Sequence, residues 1–399
     1  MTPKKRWLYI KNGDVVEQLN LLGDCPQTVP EGGTEAFIGD LLRYACGQDI
    51  LLLSCSDRNV QIRKGNVTAK VLRTELKNGK FRFVKFFLLV FQFMNGLIKA
   101  ITFRPHFIIC GRSGSMLWLT HLVAGILNVP WIHSRHNRVS NPGAQVHTRL
   151  TEKIDGYCIR RANATICHGP YLKQQLLDIG VQRHRIYEFD IGFSDLISQI
   201  NSLNNSEIQV ALPPVYALYV GRMEDYKGIF DILTACRERL HRGSDFGLVY
   251  AGDGGGLLRL QEEIAENGLA GKVSILGKVP RNQLLPVIKT AKVLIVASKS
   301  TFPEGRCMAA MEGLALGIPV VAPNFGPFPY LIKSGKNGLL FEPDSAEDLK
   351  AKLDLLLDKE SIYQEISQGV EAMRSNLIHP ARTFSQAIHQ AFKTTCIPQ

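Results

Sequence analysis

The feature that most constrains this 399-residue chain is the rhythm of its second half, where short β-rich apolar runs alternate with helix-like stretches. The runs are YALYVG (216–221), FGLVYAG (246–252), KVSILG (272–277), AKVLIVAS (291–298) and IPVVAP (318–323). Helical patterns over Gly228–Leu240, Leu257–Glu266, Asn282–Lys289 and Met308–Leu316 separate them. A strand that is apolar along nearly its whole length is buried on both faces, and strands joined through helices run parallel. The pattern predicts an α/β fold built on a parallel sheet with helices on both sides.

The first half alternates more loosely, with strands expected at WLYIK (7–11), DILLLS (49–54), FIIC (107–110), PWIH (130–133) and ATICH (164–168). The polar stretch Asn201–Pro214 ends in Pro213-Pro214 ahead of a new strand and reads as a linker. At this length two cores are expected rather than one. The expectation is two Rossmann-like domains, 1–205 and 206–399, facing a central cleft, with the helices after His379 packing back on the N-terminal domain. Ligands of such sheets bind at the carboxyl ends of the strands, against helix N-termini.

Composition excludes disorder and repeats, with 45% hydrophobic and 21% charged residues. The nine cysteines form no CxxC pair and no Cys/His cluster at zinc spacing, which predicts free thiols in a reducing compartment and no metal site. MTPKKRWLYIKNGD carries no apolar run long enough for a signal peptide, so a cytoplasmic protein is expected. The net charge of +11 is lopsided: residues 1–200 hold 26 Lys and Arg against 15 Asp and Glu, whereas residues 201–399 hold 21 of each. That asymmetry either solubilises the surface or meets an anionic partner. The segment FRFVKFFLLVFQFMNGLIKA (81–100) is strongly apolar between Lys77, Lys80, Arg82, Lys85, Lys99 and Arg104. Its uncharged part is shorter than the roughly 20 residues that span a bilayer. An interfacial helix and a buried helix both fit, and the breadth of its aromatic face favours burial.

Three motifs carry the chemistry. In PEGRCMAAMEGLALGIPVVAP (303–323), Glu304 and Glu312 open what reads as a helical stretch. Eight helical steps separate them by about 12 Å and about 80°. That is too far for a shared proton, but it suits the two ends of one hydroxyl-rich ligand with a diphosphate between them at the helix N-terminus. Gly305 would admit a close backbone approach. Two acids at this spacing are by themselves more often a capped, solvated helix. In VGRMEDYKG (220–228), Arg222 and Lys227 follow a strand and open a helix, where a forked and a point cation can neutralise a departing diphosphate; alone, this is an ordinary basic loop. In EGGTEAFIGDLLRYA (31–45), Gly32-Gly33 precedes an amphipathic helix with Thr34 as its N-cap, and AGDGGG (251–256) is a further glycine loop lacking the Lys and Ser/Thr of a P-loop.

Taken together, these motifs resemble the family-4 retaining glycosyltransferases of the GT-B fold. The resemblance covers most of the chain and is strongest over 216–342, where GRMEDYKG, AGDGGG, SILGKVP, PEGRCMAAMEGLALGIPVVAP and SGKNGLLFEP stand in the family's order. It implies a nucleotide diphosphate sugar (UDP- or GDP-) as donor and a saccharide or lipid-linked saccharide as acceptor, with no cofactor and no metal. Glu304 would bind hydroxyls of the transferred sugar, Glu312 the ribose, Arg222 and Lys227 the diphosphate. Gly33 would approach the donor phosphates, Val279 the base through its backbone, and His136 of VPWIHSRHN the sugar's reactive centre. His133 and His168 compete with His136 for such a role.

Departures from the family pattern concern the donor. Arg306-Cys307 replaces the usual aromatic or glycine after Glu-Gly, Tyr330 stands where an acid is common, and YEFDIGFSD (187–195) replaces a Pro-Asn-Gly stretch. A nucleotide-sugar epimerase of the same fold would not need the Glu304–Glu312 spacing, whereas a catalytically silent donor-binding subunit would keep the fold and be told apart by assay. A nucleic-acid partner is not expected, because no basic-aromatic module is present. The basic N-terminal half and the segment 77–104 instead predict peripheral contact with an anionic membrane.

Overall fold

A computed structural model describes residues 4–11, 14–26, 33–56, 58–73, 82–136, 146–202, 212–242, 245–302 and 304–396. The chain folds into two compact units. The first comprises Met1–Ser140, Ala144–Ile191 and Arg382–Gln399, the second Asn141–Gly143 and Gly192–Ala381.

The first unit runs β1 (Arg6–Ile10), α1 (Val15–Leu22), α2 (Gly33–Tyr44), β2 (Asp49–Ser56), β3 (Val60–Lys64), β4 (Val67–Arg73), α3 (Arg82–Phe103), β5 (Phe107–Cys110), α4 (Ser115–Leu127), β6 (Trp131–Arg135), α5 (Val146–Arg160), β7 (Ala164–His168), α6 (Gly169–Asp178) and β8 (Ile186–Phe189). Its sheet has the order β3-β4-β2-β1-β5-β6-β7-β8. Every pairing is parallel except that of β3 with β4, a hairpin at the edge. Both faces are covered, as unbroken apolar strands require. Tyr9, Leu52 and Ile109 pack on one side against α1 and α2, while Leu8, Ile10 and Ile108 pack on the other beneath α4, α5 and α6.

The cysteine expectation needs correction. Cys25 and Cys46 form a disulfide, whereas Cys55, Cys110, Cys158, Cys167, Cys236 and Cys307 are unpaired. The two bonded residues follow α1 and α2, which pack against each other, so tertiary contact rather than any sequence spacing brings them together. Cysteine usage therefore no longer argues for a reducing compartment. The Thr34 cap is also not found: α2 begins at Gly33, which places Thr34 inside the helix. The apolar segment 81–100 forms most of α3, and among the described residues no helix is long and apolar enough to cross a membrane.

The second unit opens with α7 (Ser194–Ser202) and continues β9 (Val215–Val220), α8 (Ile229–His241), β10 (Phe246–Ala251), α9 (Leu257–Glu266), β11 (Val273–Ile275), α10 (Arg281–Thr290), β12 (Val293–Ile295), α11 (Met308–Ala315), β13 (Val320–Pro323), α12 (Phe328–Leu331), β14 (Gly338–Phe341), α13 (Ala346–Asp358) and α14 (Glu360–Ile378). Its six strands are ordered β11-β10-β9-β12-β13-β14 and are parallel throughout. The chain enters this unit at Gly192, ahead of the polar stretch 201–214, because α7 packs on α10. Residues 203–211 of that stretch lie outside the described residues. The last helix, α15 (Phe384–Cys396), is part of the first unit, where Phe384, Ala387, Ile388 and Ala391 complete the core beside β6, β7 and β8.

Candidate active site

In the second unit, the loops that leave β9, β10 and β12 at their carboxyl ends are tied together by backbone. The Gly221 amide donates to the Ala251 carbonyl at 3.0 Å and the Met223 amide to Asp253 at 2.9 Å. The Tyr219 hydroxyl donates to the Arg222 carbonyl at 2.7 Å, and burial raises its pKa, so it stays a donor. Gly228 closes the turn after β9 with φ +71°, and a Cβ there would stand 2.0 Å from the Ala297 carbonyl oxygen. Only glycine fits both that left-handed backbone and that approach.

This lacing aims Lys227 at Glu304. The ammonium donates to Glu304 Oε2 at 2.6 Å, and the hydroxyl of Ser298, just beyond β12, donates to the same oxygen at 3.0 Å. The pair is enclosed, with the Lys227 and Glu304 side chains 17% and 7% exposed. The Lys227 ammonium also lies 4.1 Å from the centroid of Phe302, which stacks on Tyr226 at 4.8 Å. Arg222 extends over the other end of that stack, 5.2 Å from the Tyr226 ring. Two cations thus share one aromatic platform at the strand ends.

Beside them is a cavity of about 370 Å³. Val220, Arg222, Gly252 and Leu284 line it together with Lys278 and Val279 from the turn after β11. Gly252 takes φ +150°, and a Cβ there would meet the Gly221 carbonyl oxygen at 1.8 Å, so the floor of this cavity requires glycine. The amides of the following loop are used locally, Gly254 on Asp253 at 2.8 Å and Gly255 on Glu224 at 3.2 Å.

Glu304 and Glu312 do not share one helix. α11 begins at Met308, so Glu304 lies in the preceding turn, where its amide donates to Phe302 O at 2.8 Å. Because the helix starts only at Met308, Glu304 stands outside it and faces Lys227. Glu312 is inside α11, nearly buried, and accepts from Arg281 Nη1 at 2.8 Å. Arg281 opens α10 and is itself 44% exposed. Arg306 turns toward Met311, its Nε and Nη2 3.1 and 2.9 Å from the sulfur. The Cys307 thiol is pushed up to about 12, by burial first and the Glu304 carboxylate next.

The structure therefore brings Glu304, Lys227, Arg222, Val279 and the 305–312 segment to one end of the second sheet. Gly33 and His136 belong to the first unit. His136, after β6, has its Nε2 2.9 Å from Ser134 Oγ and its ring beside Phe189 and Phe384. His133 is fully buried, and burial first and Arg135 next hold its pKa well below the usual value. His168 ends β7 against Phe189. Ser298, Lys278 and Arg281 were not singled out from sequence. Ser298 could have been, since it closes an apolar strand run facing the same end as Lys227. Among the described residues, no three His, Cys, Asp or Glu side chains are grouped where they could hold a metal ion.

Two family models cover most of the chain in succession: Glycosyltransferase Family 4 matches residues 31–188, and Glycosyl transferases group 1 matches residues 204–373. The chain is 24% identical over 213 residues to an uncharacterised glycosyltransferase of Methanocaldococcus jannaschii, covering 53% of this chain and 55% of the relative. It is 26% identical over 175 residues to the putative colanic acid biosynthesis glycosyltransferase WcaL of Escherichia coli K12, covering 43% of each. The chain thus spans about half the length of these curated relatives. Among solved structures, Anabaena HepE in complex with UDP and glucose superposes with a TM-score of 0.66 at 16% identity, over 97% of this chain and 98% of that one. The fold is GT-B. By family, the chain is a glycosyltransferase of the group 1/family 4 type.

Proposed function

We propose that the protein moves a hexose-type sugar, with retention of configuration, from a UDP- or GDP-sugar to a hydroxyl of a saccharide or lipid-linked saccharide, in cell-surface polysaccharide or glycolipid assembly on the cytoplasmic side. The observation that carries this reading is the enclosed Lys227–Glu304–Ser298 cluster beside the Arg222–Val279 cavity. Base and ribose enter that cavity, with the Val279 backbone on the base and Glu312, steadied by Arg281, on the ribose hydroxyls. The diphosphate lies toward Arg222 and Lys227, which stabilise its charge as the bond to the sugar breaks. Glu304, with the backbone of Gly305, Arg306 and Cys307, holds the transferred ring. Gly33 and His136 keep the roles the resemblance implies, at the donor phosphates and the sugar's reactive carbon. The acceptor hydroxyl attacks on the face the nucleotide leaves, and the departing phosphate oxygen takes its proton. Catalysis is then positioning and charge stabilisation, without a covalent intermediate or a metal ion. Incubation with a panel of UDP- and GDP-sugars tests this: slow release of nucleotide diphosphate from one donor, unaffected by chelator, with the α-sugar formed first from an α-donor. Release from none, or inversion at the anomeric carbon, refutes it.

A further inference from the structure

Two tyrosines beneath the candidate site are matched in a way that packing does not require. Tyr219 on β9 and Tyr250 on β10 are register partners on neighbouring parallel strands, so their side chains leave the sheet on the same face. Both are buried, at 3% and 0% exposure, with ring centroids 5.7 Å apart and planes at 53°. Phenylalanine would fill either place as well, and a buried hydroxyl costs free energy unless it is hydrogen-bonded. Each hydroxyl here is directed at one backbone carbonyl. Tyr219 donates to the Arg222 carbonyl at 2.7 Å, and Tyr250 donates to the Ile229 carbonyl at 2.8 Å. Desolvation, the largest cause, raises the pKa of both phenols, so both remain donors.

Those two carbonyls are the two ends of one turn. Residues 222–229 leave β9, carry Arg222, Tyr226 and Lys227, and enter α8. Within the turn, the Glu224 amide donates back to the Arg222 carbonyl and the Lys227 amide to the Glu224 carbonyl, each at 2.9 Å. These local bonds shape the turn, whereas the tyrosines anchor its entry and its exit from the sheet below. The sequence makes room for the first anchor. A Cβ at Gly221 would stand 2.8 Å from the Tyr219 hydroxyl oxygen, so glycine lets the phenol reach past the chain to residue 222. A turn held at both ends has little freedom left to lose when it meets a ligand, and its two cations stay aimed at one place. Among the described residues, the cavity is lined by the chain neighbours Val220 and Ala251 and not by the tyrosines themselves. Their effect on a ligand therefore runs through the turn.

We propose that Tyr219 and Tyr250 are positioning residues that bracket the 222–229 turn and hold Arg222 and Lys227 for the donor diphosphate. The ligand in this statement rests on the transferase reading; the bracket itself does not. Tyr219→Phe and Tyr250→Phe test it, because each keeps the ring and removes one oxygen. In calorimetric titration each variant binds UDP or GDP, whichever the wild type binds, about fivefold more weakly, the scale of one hydrogen bond. The affinity for the bare nucleoside, uridine or guanosine, is unchanged, which a general loosening of the unit would not spare. Adding Tyr219→Phe to Arg222→Ala, or Tyr250→Phe to Lys227→Met, weakens nucleotide binding no further, because each hydroxyl acts through its cation. Amide hydrogen exchange reads the bracket without any ligand: peptides covering 222–229 exchange about fivefold faster in either variant. Unchanged exchange or unchanged nucleotide affinity in both variants overturns the proposal. So does equal weakening of nucleoside and nucleotide, or additivity with the cation variants. A wild-type protein that binds neither UDP nor GDP counts against the transferase reading alone. The exchange rates then decide the bracket, faster in the variants if it stands and unchanged if it does not.

Discussion

Replacing Lys227 with methionine removes one cation and keeps most of the aliphatic stem, so it isolates the ion pair at the heart of the site. The Lys227 ammonium is 2.6 Å from Glu304 Oε2, with side chains 17% and 7% exposed. Removing one partner of a pair this enclosed costs about 3–5 kcal/mol, because the other charge is left desolvated. The Ser298 hydroxyl at 3.0 Å stays as a donor, so the lower end, about 3 kcal/mol, is expected for Lys227→Met. Glu304→Gln keeps an acceptor for Ser298 and discards the charge, so the double variant loses less than the two single losses together, with a coupling of about 2 kcal/mol. The assay is denaturant unfolding by circular dichroism, because Trp7, Trp118 and Trp131 all lie in the first unit and report poorly on the second. In turnover, Lys227→Met lowers the rate about a hundredfold, equivalent to about 3 kcal/mol of leaving-group stabilisation. A stability change under about 0.5 kcal/mol, with additive single and double variants, refutes the enclosed pair as described.

Four further outcomes are expected. Gly228→Ala places a Cβ 2.0 Å from the Ala297 carbonyl and strains a left-handed residue, so thermal unfolding shows a loss of at least about 2 kcal/mol. Cys25→Ser costs about 3 kcal/mol, the scale for a loop closed over a separation of 21 residues, and peptide mapping without reductant recovers Cys25 linked to Cys46 in the wild type. Arg281→Ala releases Glu312; if Glu312 holds the ribose as proposed, in ground state and transition state alike, the donor KM rises about tenfold with kcat nearly unchanged. His133 has a depressed folded pKa, so below its unfolded value of about 6.5 the unfolded chain binds more protons. Its contribution is therefore fully present above that pH and falls by up to about 1.4 kcal/mol per unit below it, a slope that His133→Leu removes in urea titrations at pH 7 and pH 5.5.

The parallel strands were legible because burial on two faces writes them as unbroken apolar runs, and β9, β10 and β13 fall within a residue or two of the runs that predicted them. β3 and β4, VQIRK and VTAKVLR, were not, since their charged residues follow from an edge hairpin in which β3 is only half-buried, on alternate residues. The motif residues of the site were legible as residue types at strand ends, but not their partners. Nothing in the spacing of Arg281 from Glu312, or of Ser298 from Glu304, states that α10 and β12 bring them together. Glu304 was read onto a helix because MAAMEGLA continues a helical pattern back toward it, while the Gly305 turn delays the helix to Met308. The Cys25–Cys46 bond depends on how α1 packs against α2, a contact with no local signature.

The central claim is that the end of the second sheet binds the donor through its nucleotide diphosphate. Calorimetric titration of the wild-type protein and of the Arg222→Ala variant with UDP and GDP tests it most directly, because binding needs no acceptor. Arg222 both lines the cavity and lies over the Tyr226 ring, and among the described residues it forms no ion pair whose loss would unfold the unit. One of the two nucleotides should bind the wild type, and Arg222→Ala should weaken it at least about tenfold, the loss of one charge-assisted contact to phosphate. No binding of either nucleotide, or equal affinity in the variant, would contradict the account.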